Sequence, residues 1–125
     1  MKITALIARV LLGLLFLVFG LNGFLHFLPQ GPMPTGLAGQ FIGVLAASHY
    51  IDFVFALQVL CAVLFLVGRY VPLALALIAP VIVNILLFHA LMNPGGILPG
   101  AVATLLWLVV ACRERSAFAG ILRKG

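Results

Sequence analysis

Four long runs of apolar residues, separated by short stretches that contain polar residues, Pro or Gly, dominate the chain. We predict from them four transmembrane helices at about residues 3–28, 50–67, 71–92 and 96–112. Each run approaches the roughly 20 apolar residues that a helix needs to cross a bilayer. Only helices and closed barrels span lipid, and the runs lack the alternating polarity of barrel strands. The pattern therefore predicts an all-α polytopic membrane protein that folds as a four-transmembrane-helix bundle.

A shorter apolar segment at about residues 36–47 lies between spans 1 and 2. It is too short to cross the bilayer, so we expect a short interfacial or re-entrant helix there. A Pro-rich stretch at residues 29–34 precedes this segment, and a basic tail at residues 113–125 follows span 4. We interpret residues 1–125 as a single membrane domain.

The composition excludes the main alternative classes of protein. Of the 125 residues, 66% are hydrophobic and 7% are charged, and the mean hydropathy is +1.36. A soluble domain needs more polar surface, and a disordered chain needs much lower hydrophobicity. A cleaved signal peptide does not fit the first run, because Arg9 interrupts it and no small-residue cleavage site follows. With no Walker, HExxH, GxSxG or GxGxxG motif, we expect no self-contained catalytic site.

The positive charges indicate how the chain is oriented in the membrane. The net charge is +5, with seven Lys and Arg against two Asp and Glu. The loops after spans 1 and 3 contain no Lys or Arg, so every basic residue is predicted on one side. The positive-inside rule then places both termini and the loop with Arg69 in the cytoplasm. We therefore expect no nucleic-acid partner. The basic residues are Lys2, Arg9, Arg69, Arg113, Arg115, Arg123 and Lys124.

Polar residues near the outer ends of the first three spans are the candidates for chemistry. They are Asn22, His26, His49, Asp52, His89 and Asn93. Three interpretations are open. The groups hydrogen-bond helix ends and one another; they form a proton-handling or quinone-headgroup site, since histidine titrates near neutrality; or the histidines and Asp52 bind a metal. No tight metal-ligand motif is present, so we assign no metal.

The quinone interpretation makes a geometric prediction. His26 and His89 should converge on one cavity between spans 1 and 3, and Asp52 or Asn93 should orient an imidazole ring. If the polar groups are purely structural, each histidine should bond locally and no cavity should open. Gln58 and Asn84 lie deeper in spans 2 and 3. We interpret Gln58 as an interhelical hydrogen-bonding group and Asn84, one turn after Pro80, as a packing device or a cavity wall.

Span 1 carries a stripe of residues at helical spacing, formed by Arg9, Gly13, Phe16 and Gly20. Small residues on such a stripe predict close helix packing. In a scaffold protein, Gly13 and Gly20 are instead expected to face lipid and a partner. Arg9 is expected to snorkel, or to contact an anion or lipid headgroup on the cytoplasmic side. Trp107 is expected to be a membrane anchor.

Two stretches of the chain resemble the DoxX-like family of small membrane proteins. They are residues 9–27, which contain GLNGFLHF, and residues 71–89, which contain Pro80, Asn84, Phe88 and His89. The resemblance implies a four-helix bundle in a bacterial-type cytoplasmic (inner) membrane. Members of the family often carry an acidic residue near the position of Gln58.

The resemblance implies two classes of function. Relatives include a subunit of thiosulfate:quinone oxidoreductase and partners of redox enzymes, which implies an accessory or quinone-contacting subunit of a membrane redox complex. More distant relatives are maturation factors and assembly chaperones, which implies a non-catalytic assembly, scaffold or chaperone-like protein. The first class implies a quinone as the cofactor, the second implies none, and no covalently bound group is expected in either. The expected partners are membrane lipids and other membrane subunits or a second copy.

Overall fold

The computed structural model describes residues 2–28 and 34–121, and this part of the chain forms helices and turns with no strand. Its helices are α1 (Lys2–Leu25), α2 (Gly36–Ala47), α3 (Tyr50–Val67), α4 (Val71–Leu91), α5 (Ile97–Arg113) and the short α6 (Arg115–Phe118). A 3₁₀ turn, Pro94–Gly96, precedes α5. Within the described residues, four segments are long and apolar enough to cross a membrane. The predicted all-α four-span bundle, with a short apolar helix between spans 1 and 2, is confirmed.

Helix α1 ends at Leu25, three residues before the predicted boundary. The side-chain Oδ1 of Asn22 accepts a hydrogen bond from the backbone N–H of Leu28 at 2.8 Å. His26 adopts a left-handed backbone conformation, with φ of 53°. Helices commonly end at a residue with a left-handed backbone, and a nearby side chain often accepts a hydrogen bond from a backbone N–H just beyond the end. Most of the Pro-rich stretch, residues 29–33, and the end of the basic tail, residues 122–125, lie outside the described residues.

The long helices pack as a closed ring. Helix α1 packs against α3 and α5, and α4 packs against the same two helices, so α1 and α4 occupy opposite corners. Helix α2 contacts α3 on the outside of the ring. The largest fully buried side chains come from all four corners and fill the centre. They are Leu12, Phe16, Cys61, Phe65, Leu75, Ile78 and Val110.

Glycines bring α1 and α3 into close contact, as the spacing of the stripe predicts. A Cβ atom on Gly20 would lie 2.9 Å from Cγ2 of Val59 and 3.2 Å from the carbonyl oxygen of Phe55. A Cβ atom on Gly13 would lie 3.2 Å from the carbonyl oxygen of Ala62. Both glycines are buried within the bundle. The expectation that they face lipid and a partner is therefore wrong, because α3 already covers them.

Trp107 joins α5 to α4. Its indole Nε1–H donates a hydrogen bond to the carbonyl oxygen of Leu75 at 2.9 Å. Pro80 lies inside α4 and has no backbone N–H, so the carbonyl oxygen of Ala76, four residues earlier, loses its usual partner within the helix. The Trp107 bond is made to the preceding carbonyl, that of Leu75, and fastens α5 to this part of α4.

The basic side chains of the described residues gather at one end of the bundle, which we call the basic end. Lys2, Arg9 and Arg113 line a common cleft there. The guanidinium group of Arg9 also donates to the carbonyl oxygen of Phe65, near the end of α3, and Arg69 lies just beyond that end. Arg115 follows in α6. This placement agrees with the predicted one-sided distribution of charge.

Candidate functional site

A cavity of about 500 Å³ opens between α2, α3 and α4. We call it the side cavity. It is formed by the first half of α3 and the second half of α4, so it lies toward the end of the bundle opposite the basic end. Its walls are mainly aliphatic and aromatic, as in most small-molecule sites. The lining residues are Phe41, Ile42, Leu45, Tyr50, Ile51, Val54, Phe55, Gln58, Val81, Asn84, Ile85, Phe88 and His89.

Gln58 supplies a polar group deep in this apolar wall. Its side chain is 6% exposed, and none of the side-chain hydrogen bonds among the described residues involves it. Fully enclosed side-chain N and O atoms in the described part of the chain all have a partner, so the Gln58 carboxamide keeps some accessible surface, and Gln58 lines the cavity. A buried amide without a partner costs free energy. A ligand or water in the cavity would recover it.

His89 is held in one tautomer by its own helix. Its Nδ1 lies 2.9 Å from the carbonyl oxygen of Ile85, which can only accept, so Nδ1 carries the proton. The lone pair of the neutral ring is therefore on Nε2. Nε2 and Cδ2 pack against Gly96, where a Cβ atom would lie 2.8 Å from each of them. The ring position thus depends on the absence of a side chain at Gly96.

Asn84 is anchored in a similar way. Its Nδ2 donates to the carbonyl oxygen of Pro80 at 2.8 Å, one turn earlier in α4. This bond leaves Oδ1 and the second amide hydrogen free to meet a ligand. The side cavity therefore presents both hydrogen-bond donors and acceptors, held on two rigid helices.

Aromatic rings frame the cavity. Phe41 of α2 stacks on Phe88 of α4, with ring centroids 5.6 Å apart and an interplanar angle of 29°. Phe88 in turn meets the His89 ring edge to face at 5.0 Å. Offset-stacked and edge-to-face contacts are the favoured arrangements of aromatic rings. The short helix α2 is thereby fastened over α3 and α4, and it closes one side of the cavity.

Six polar residues were predicted from the sequence as candidate site residues. Among the described residues that line the side cavity, His89 is the one member of this set. Asn22 is used to end α1, and His26 is exposed beyond that end. Asn93 follows α4, and its backbone N–H bonds the carbonyl oxygen of Phe88 at 3.2 Å. The cavity lies between α2, α3 and α4 rather than between spans 1 and 3. The reason is the ring order, which places α1 and α4 at opposite corners.

His49 and Asp52 form a pair at the start of α3. Nδ1 of His49 lies 3.1 Å from Oδ2 of Asp52, and the two side chains are largely exposed, at 82% and 49%. Asp52 therefore orients His49 and not His26 or His89. Within residues 2–28 and 34–121, no three His, Cys, Asp or Glu side chains come together to hold a metal ion. The metal interpretation gains no geometric support.

Gln58 and Asn84 line the cavity but were not among the candidate site residues, since sequence reasoning assigned Gln58 to interhelical hydrogen bonding and Asn84 to packing or a cavity wall. The signal that could have found them is their polarity at membrane depth, where each polar group needs a partner or a function. No model of a known protein family matches this chain, and comparison with curated proteins and with solved structures also gives no match. The geometry of the side cavity therefore carries the functional argument.

Proposed function

We propose that this chain is a DoxX-like multi-pass membrane protein and acts as a quinone-contacting accessory subunit of a membrane redox complex. The observation that carries the proposal is the side cavity, with the carboxamide of Gln58 open to it. A quinone ring is flat, apolar on its faces and polar at two opposite oxygens. Aromatic walls suit the faces, and the amides of Gln58 and Asn84 suit the oxygens.

His89 contributes its ring to the cavity wall. Its Nδ1 bonds the carbonyl oxygen of Ile85 and its Nε2 edge packs against Gly96, so the polar contacts to a quinone fall to Gln58 and Asn84. The described lining contains no Asp, Glu, Lys or Arg. We infer that the site binds and orients a quinone, while electron transfer depends on a partner subunit.

Quinone binding tests the proposal directly. We expect Gln58→Leu to weaken binding of a short-tailed ubiquinone by about tenfold or more, because one net hydrogen bond to a buried group is worth about 1–1.5 kcal/mol. His89→Ala removes part of the cavity wall and should also weaken binding. Titration calorimetry of the purified protein in detergent gives the dissociation constants.

His26→Ala is the matched control, since it removes an imidazole outside the cavity and should leave the affinity unchanged. Saturable binding that is equal in all three variants would contradict the proposed site. Absence of any saturable quinone binding would favour the alternative, a non-catalytic assembly or scaffold protein. The observation that favours this alternative is that the described lining contains no charged group that could take part in redox chemistry.

We also propose that both termini lie in the cytoplasm of a bacterial-type inner membrane. The gathering of the described basic residues at one end supports this orientation. Gly95 and Gly120 offer a matched test, since a Cβ atom at either position meets nothing within 4 Å. In a Cys112→Ser background, Gly95→Cys should react with a membrane-impermeant maleimide on intact cells. Gly120→Cys should react only after permeabilisation, and equal labelling of both would rule out this topology.

A further inference from the structure

A second concave site, separate from the side cavity, lies at the basic end. It is a cleft of about 340 Å³ between the beginning of α1 and the end of α5. We call it the basic cleft. Its described lining combines three cations and one carboxylate with a small apolar wall. The lining residues are Lys2, Ala5, Leu6, Arg9, Val110, Arg113 and Glu114.

Arg9 is held in place at the back of this cleft by α3. Its Nη1 donates to the carbonyl oxygen of Phe65, one of the last carbonyls of α3, which have no partner within the helix. The guanidinium group also packs closely against Gly68, where a Cβ atom would come within 2.6 Å of Nη1 and 3.1 Å of Cζ. A guanidinium group has five N–H donors, and this bond uses one of them. The others are preorganised on a side chain that has already lost its rotational freedom.

Within the described part of the chain, no Lys or Arg side chain lies within 4.0 Å of a carboxylate oxygen, and His49 with Asp52 is the one ionisable pair at that distance. Glu114 therefore lines the cleft without forming a direct salt bridge to Lys2, Arg9 or Arg113. Three cations that face one cleft repel one another unless an anion lies between them. A tetrahedral phosphate group matches both the charge and the fork of donors that arginine offers.

We propose that the basic cleft binds a phosphate group carried by an anionic phospholipid. The apolar part of the cleft distinguishes a lipid from a soluble ion. Leu6 lines the cleft and is 50% exposed, and it continues into an exposed apolar face with Ile3 and Ile7. An acyl chain can lie along this face of α1 while the headgroup contacts Lys2, Arg9 and Arg113.

Native mass spectrometry of the detergent-solubilised protein tests this site. The probes are dioleoylphosphatidylglycerol, dioleoylphosphatidylcholine and inorganic phosphate. We expect tighter binding of the phosphatidylglycerol by about tenfold or more over the phosphatidylcholine. Arg113→Gln should remove most of this preference, and because Arg113 does not cap α3 the bundle should stay folded. Arg69→Gln removes the same charge at the same end but outside the described lining, so it should keep the preference.

Three outcomes would overturn the proposal. Equal loss of preference in Arg113→Gln and Arg69→Gln would mean that general positive charge, and not the cleft, attracts the lipid. Equal binding of both lipids by the unaltered protein would mean that the cleft does not recognise the anionic headgroup. Full displacement of the phosphatidylglycerol by millimolar inorganic phosphate would assign the cleft to a soluble phosphate. None of these results depends on quinone binding at the side cavity.

Discussion

Gly20→Leu is expected to destabilise the bundle by about 3 kcal/mol, near the upper end of the usual cost of overpacking a well-packed interior. The first added carbon would already lie 2.9 Å from Cγ2 of Val59 and 3.2 Å from the backbone oxygen of Phe55. A leucine side chain leaves α1 no way to relax except to move away from α3. Because the helices gain no hydrophobic stabilisation from meeting inside lipid, lost close packing is not readily replaced.

Titration with sodium dodecyl sulfate from a mild detergent measures this loss. Trp107 is the single tryptophan of the chain and contacts α4, so its fluorescence reports on tertiary structure. Gly43→Leu is the matched control, because a Cβ atom on Gly43 of α2 meets nothing within 4 Å. An unchanged unfolding midpoint for Gly20→Leu would mean that α1 and α3 are not in close contact in the membrane.

Phe65→Ala is expected to cost about 3–5 kcal/mol, the usual range for removing a large buried aromatic side chain. Phe65 is fully buried at the centre of the ring of helices. Its replacement leaves a void that lipid cannot reach, and the neighbouring side chains lose their packing partners. The same detergent titration gives the change in the free energy of unfolding.

Phe53→Ala provides the comparison within the same helix. Phe53 is 71% exposed, so in a membrane its ring faces lipid, and lipid can fill the space that it leaves. We expect this variant to lie within about 0.5 kcal/mol of the parent, as for most substitutions away from packed features. Similar losses for Phe53→Ala and Phe65→Ala would show that the two faces of α3 are assigned wrongly.

These two phenylalanines also show where sequence reasoning reaches its limit. Phe53 and Phe65 both lie in the apolar run of α3, and nothing in the run distinguishes them. In a soluble protein, polar residues on the outer face of a helix reveal the buried face. In lipid the outer face is as apolar as the core, so this signal is absent. Gly13 and Gly20 were recognisable as packing residues, but the partner that they face was not.

The candidate site was likewise predictable only in part from the sequence. Sequence reasoning included His89 among the candidate residues, and it recognised Gln58 and Asn84 as polar groups at membrane depth. It joined His89 to His26, because both lie near the outer ends of their spans. The structure instead brings His89 into one cavity with Gln58 and Asn84. Distance along the membrane normal can be read from a sequence, but position around the bundle cannot.

The sequence by itself determined the four spans, the short helix between the first two, and the grouping of basic residues toward one side. These features follow from the thickness of the bilayer, the need to satisfy every backbone polar group inside lipid, and the cost of moving charge across it. Tertiary structure decided the order of helices around the ring, the corner positions of α1 and α4, and therefore which polar side chains meet. Contacts between helices at different corners depend on shape, on glycines and on single hydrogen bonds such as that of Trp107. Hydrophobic patterning carries no record of these contacts, because lipid and protein interior are equally apolar.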